Sequence, residues 1–106
     1  MTLEQVTEVE KTLQKLGQSL MDFSDNSFEA TVNMTKYISK IYEELIGLIP
    51  MLKEQGVDLP IDILIAQLKN YNQAIENKDV MMLTDSINYE VLDTVSLYRE
   101  ILEQIS

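Results

Sequence analysis

Apolar residues along this chain recur at steps of three and four, and the pattern breaks at three places. Thr2, with Gln5 three positions on, has the form of a capping box. Val6, Val9, Leu13, Leu16, Leu20 and Phe23 follow as a narrow seam with polar residues on the other sides, which predicts a first helix. Ser24-Asp25-Asn26-Ser27 interrupts the pattern. Asn26 and Glu29 then read as cap and capping box of a second helix, with the stripe Thr31, Met34, Ile38, Ile41, Tyr42, Leu45, Ile49 and Leu52. Pro50 falls inside that stripe while Leu52 keeps its phase, so a kink near Pro50 is expected, with Gly56 as the stop.

Asp58-Leu59-Pro60 restarts the chain, and Ile61, Leu64, Ile65, Leu68, Tyr71 and Ile75 predict a shorter third helix. Asn72 falls inside its apolar arc, where a buried amide fixes register more often than it does chemistry. Asn77-Lys78-Asp79 is the last break, and Asp79 is the expected cap of a fourth helix. Its residues Val80, Leu83, Ile87, Val91, Thr94, Tyr98, Ile101 and Ile105 lie within about 40° of one line on a helical wheel. No stretch keeps the strict alternation of a strand. The expected fold is all-α: an antiparallel up-down-up-down four-helix bundle, forming a single domain over residues 1–106.

The fourth helix carries a second apolar stripe. Met82, Tyr89 and Leu92 lie opposite the Ile87 line, with Asp85 between them and Met81 beside them. That face of a bundle looks at water, so the stripe calls for an explanation. It is covered by the kinked end of the second helix, or it joins two copies of the chain, or it docks another protein; methionine and tyrosine suit contact surfaces. Glu90 stands at the edge of the core stripe, placed to point outward or to accept a hydrogen bond from Tyr42, Tyr71 or a backbone amide.

Composition narrows the chemistry. Eighteen acidic residues face eight basic ones, a net charge of −10, which repels phosphate backbones and anionic membranes. Lys36 and Lys40 form the one basic pair on a shared face and are expected to pair with Glu43 and Glu44. Cysteine and histidine are absent, which removes thiolate chemistry, the commonest metal ligand and every Ser-His arrangement. An all-carboxylate Mg²⁺ site is the remaining metal option, as in all-helical nucleotide pyrophosphohydrolases. Their Glu-Glu-x-x-Glu pattern fails here at Gly47, and Glu76-x-x-Asp79 straddles a helix break. No basic leader, apolar span or basic amphipathic face appears, so a cytoplasmic location without membrane or nucleic-acid partners is expected.

Lys78-Asp79, Asp85 and Tyr89-Glu90, at these spacings, resemble the C-terminal pattern of small uncharacterised all-helical proteins of Gram-positive bacteria. The resemblance covers the last third of the chain and departs at Asn88, where those proteins often have leucine. It implies a compact helical domain in which Asp79, Asp85, Tyr89 and Glu90 act together as cap and intrahelical bonds, with no catalytic residues. The expected role is a non-enzymatic, acidic interaction module (an adaptor, chaperone or regulator) that uses Met81, Met82, Asp85, Tyr89 and Leu92, with no cofactor or metal. The alternatives are a homodimeric structural subunit and a carboxylate-metal hydrolase.

Overall fold

The computed structural model describes residues 1–105. They form α1 (Leu3–Met21), α2 (Ser27–Val32), α3 (Thr35–Glu54), α4 (Ile61–Glu76), α5 (Val80–Ser86), a π-helical segment (Ile87–Val91) and α6 (Leu92–Ile105). The four expected helical stretches are thus present as an antiparallel bundle, and no strand occurs among the described residues. Two of the stretches are interrupted, and both interruptions matter below.

Local chemistry starts the helices. Thr2 accepts from the Gln5 amide at 3.1 Å, and the Gln5 side chain accepts from Thr2 N–H at 2.9 Å, completing the capping box. Asp79 accepts from the Met82 amide at 3.0 Å and caps α5. Asn26 does not cap α2. Its backbone is left-handed, with φ 67°, and its side chain makes no cap bond. The turn is held instead by the Ser27 hydroxyl, which donates to the Ser24 carbonyl at 2.8 Å.

Three helices end alike. After α3, Val57 N–H reaches Leu52 O and Gly56 N–H reaches Lys53 O, a Schellman motif with Gly56 at φ 83°. The same pair of bonds closes α1 around Phe23 (φ 53°) and α4 around Lys78 (φ 52°). Phe23 therefore leaves the seam the sequence gives it and stands exposed beyond the helix. A side chain in this conformation costs about 1–2 kcal/mol, more than the roughly 0.5–1 kcal/mol of entropy a glycine brings. Lys78→Gly is accordingly expected to stabilise the protein by about 0.5–1 kcal/mol, read as a higher urea midpoint at unchanged slope.

The core is built from Val6, Val9, Leu13 and Leu20 of α1, Ile38, Ile41, Tyr42 and Leu45 of α3, Leu64, Tyr71 and Ala74 of α4, and Leu83, Ile87, Val91, Val95 and Tyr98 of the last stretch. A partly buried ion pair aligns α1 with α6: Arg99 Nε donates to Glu10 at 2.6 Å, and the Ser96 hydroxyl donates to the other oxygen at 2.6 Å. At Gly17 the two stretches approach so closely that a Cβ there would lie 2.3 Å from the Asn88 amide oxygen. Asn88, where the chain departs from the Gram-positive pattern, donates to the Gly17 carbonyl at 3.3 Å and to the Thr84 carbonyl at 3.0 Å.

The third expected helix, α4, turns most of its stripe to the core, with Leu68 and Ile75 packed against it, but loses two members of that stripe to the surface. Leu64, Tyr71 and Ala74 are buried, while Ile61 and Ile65 are exposed and Asn72 lies on the surface. Two tyrosines fix the register instead. Gln67 Oε1 accepts from Tyr42 at 2.8 Å and from Thr94 at 2.5 Å, tying α3, α4 and α6 together.

Tyr71 explains where the second stretch breaks. The interruption is at Asn33–Met34, not near Pro50; the helical run passes through Pro50 and ends at Glu54. Met34 N–H bonds to Thr31 O at 3.0 Å, one residue short of the α-helical partner. The same carbonyl accepts from the Tyr71 hydroxyl at 3.0 Å, and Thr35 Oγ1 lies 2.7 Å from that hydroxyl. Since the single Tyr71 proton goes to Thr31, Thr35 is the donor in the second bond. A long-range contact thus sets the break, which periodicity does not encode. Before it α2 packs on α1; beyond it α3 packs on α4 and α6.

Candidate functional site

The π segment lies in the middle of the outer face expected to make contacts. Leu83, Ile87, Val91 and Val95 are fully buried and follow one another at steps of four. On an uninterrupted α-helix three such steps drift by about 120°. The wider π turn, in which Leu92 N–H bonds to Ile87 O, absorbs the drift and keeps all four residues on the core.

The wider turn also shapes the surface. Asn70 of α4, Met82, Asp85 and Ser86 of α5, and Tyr89 and Glu90 of the π segment line an open pocket of about 440 Å³. Turns of this kind recur at functional sites. Asn70 Nδ2 lies 3.4 Å from both Glu90 oxygens, too long for strong bonds, so the carboxylate is oriented but largely unspent. Among the described residues Glu90 has no cationic partner, and Asp85 makes neither a hydrogen bond nor an ion pair. The Ser86 side chain is 3% exposed, and its hydroxyl is the one buried side-chain polar atom among the described residues with no partner.

The five residues singled out on this face divide into two groups. Met81 and Tyr89 are 73% and 71% exposed, and Asp85 is exposed with them. Met82 and Leu92 are half-buried and pack against the core, so they back the surface instead of forming it. The neighbour beside Met82 in the pocket is α4, through Asn70, and not the second helix. Asp85 and Tyr89, one turn apart, do not bond; of the bonds the resemblance implies, only the Asp79 cap forms.

The chain matches no protein-family model, no curated protein and no solved structure. Its site is therefore read from its own residues. Ser86 and Asn70 are the members that sequence reasoning missed. A serine on the flank of a core stripe carries no local signal, and Asn70 joins only because α4 packs against the π segment. Among the described residues no group of three or more carboxylates is placed to hold a metal ion, and no helix is long and apolar enough to cross a membrane.

A larger opening lies elsewhere on the bundle. A groove of about 790 Å³ runs between α1 and α3, with Val9, Met34 and Tyr37 among its lining residues. Glu4 and Glu8 stand on its α1 side, and Lys36 and Lys40 on its α3 side. Neither lysine forms a salt bridge with Glu43 or Glu44, although the charge of Lys40 acts on Glu44 and helps to hold its carboxyl below the usual value. Lys36 sits 5.0 Å from the centre of the Tyr37 ring, and Glu44 takes the Met1 ammonium and the Tyr98 hydroxyl.

Proposed function

We propose that this protein is a non-enzymatic cytoplasmic interaction module that binds a partner protein through the outer face of its last helical stretch, taking a basic side chain of that partner between Asp85 and Glu90. The observation that carries this reading is the pair of carboxylates with no cationic partner, beside the buried, unpartnered Ser86 hydroxyl. A guanidinium supports five donors in a planar fork. It meets the Glu90 carboxylate in bidentate fashion and lies against the Tyr89 ring. Met81 and Tyr89 add apolar contact on either side. The charge of −10 draws such a partner in from a distance.

The test uses a capped Leu-Arg-Leu tripeptide and its citrulline counterpart, a neutral isostere, in amide NMR titrations. Shift changes with the arginine peptide are expected to cluster at Asn70, Asp85, Ser86, Tyr89 and Glu90. They should vanish with citrulline and in Glu90→Gln. Changes spread evenly over the acidic surface, or equal changes with citrulline, would reject the reading.

A further inference from the structure

We propose that the groove between α1 and α3 is a second docking site, built for an amphipathic helix of another protein whose apolar stripe has basic residues along one edge and acidic residues along the other. The groove follows from the break at Asn33–Met34. Because α2 stays on α1 while α3 leaves it for α4 and α6, an open groove remains between α1 and the start of α3. Two turns of a helix about 10 Å across occupy on the order of 800 Å³, which matches the opening of about 790 Å³. A convex helix suits this concave surface, as in other helix-in-groove recognition. Tyr37, half open to solvent, and the partly buried Met34 supply an adaptable apolar floor.

Charge selects the occupant. Glu4 and Glu8 are exposed one turn apart on one wall, and Lys36 and Lys40 are exposed one turn apart on the other. The ion pair between Glu8 and Lys11 spans 4.0 Å between two exposed side chains and is readily exchanged. An all-basic helix meets repulsion from the lysine wall, and an all-acidic helix meets it from the glutamate wall. A helix with one basic and one acidic edge satisfies both. This prediction runs against the net charge of −10, which by itself favours the all-basic helix.

Three synthetic helical peptides sharing one leucine stripe separate these cases: lysine on both edges, glutamate on both edges, and lysine on one edge with glutamate on the other. Binding is measured by fluorescence anisotropy at physiological ionic strength, with circular dichroism confirming that each protein variant is folded. The mixed-edge peptide is expected to bind at least tenfold more tightly than the all-lysine peptide. The Lys36→Glu/Lys40→Glu variant, altered only at exposed positions, is expected to reverse that order. Lys69→Glu, the same charge change at an exposed position of α4 outside this groove, should leave the order of the two affinities unchanged. Tightest binding of the all-lysine peptide to the wild-type protein overturns the proposal, as does saturation by none of the three. A dimer in light scattering that the lysine variant abolishes also overturns it, because a second copy would then own the groove.

Discussion

A Gln67→Leu variant is expected to lose about 2–3 kcal/mol of stability, although leucine is more apolar and at least as good a helix former. The Gln67 oxygen is the acceptor for two hydroxyls, from Tyr42 and Thr94, that are buried on neighbouring helices. Orphaning a buried donor costs about 1–3 kcal/mol. Thr94 has a remedy, since a helical threonine can turn to a carbonyl of its own helix. Tyr42, completely buried, has only the Thr94 hydroxyl as a substitute partner, so most of the cost falls there. Removing all three polar groups together, as Gln67→Leu, Tyr42→Phe and Thr94→Val, is expected to bring stability back to within about 1 kcal/mol of the wild type, because nothing is then left unpaired. Urea unfolding of the single and triple variants measures both values. A triple variant no more stable than the single one would show that the network contributes through packing and not through satisfied hydroxyls.

Alkaline pH is expected to unfold the protein steeply. Burial pushes the Tyr42 and Tyr71 hydroxyls up from the usual tyrosine value, and burial together with the hydrogen bond to Glu44 pushes Tyr98 up to about 12. All three are protonated in the folded state at pH values where the unfolded chain has begun to ionise near pH 10. The folded state then holds more protons, so stability falls as pH rises. Their contribution is complete below pH 10 and is lost as pH climbs through the folded values. The slope approaches about 1.4 kcal/mol per pH unit for each fully buried tyrosine, or about 4 kcal/mol for three. Tyr98 contributes less than the other two, because its Glu44 partner is partly open to solvent. Urea midpoints at pH 9, 10 and 11 should hold steady and then drop. Tyr42→Phe should flatten the drop by about a third; an unchanged slope would mean that this hydroxyl does not resist ionisation.

How much of this was legible in the sequence depends on how far each cause lies along the chain. The capping box at Thr2 and Gln5, the Asp79 cap and the Gly56 stop are decided within a few residues, and all three can be read directly. The left-handed ends at Phe23 and Lys78 are equally local but carry no glycine to mark them. Pro50 drew the expected kink because its missing N–H is visible in the sequence. The break at Asn33–Met34 is not visible, since it depends on a hydroxyl forty residues away on α4. The π segment did leave a trace, in the steps of four from Leu83 to Val95. Periodicity alone does not reveal it, because Thr94 and Tyr98 continue the line of a straight helix. Of the candidate site, Met81, Asp85 and Tyr89 could be placed outside from one helix alone. That Met82 and Leu92 turn inward, and that Asn70 completes the pocket, depends on the packing of α4.

The π segment has a consequence for length variation. Dropping one residue between Ile87 and Val91 changes the buried steps from four, four, four and three, through Leu83, Ile87, Val91, Val95 and Tyr98, to four, three, four and three. That is the spacing of a regular helix seam. With Asn88 as the residue dropped, the core keeps its seam, while the wide turn that opens the pocket is lost and Tyr89 and Glu90 shift part of a turn relative to Asp85. In this protein a single deletion acts as a rotation, erasing the pocket without dismantling the bundle.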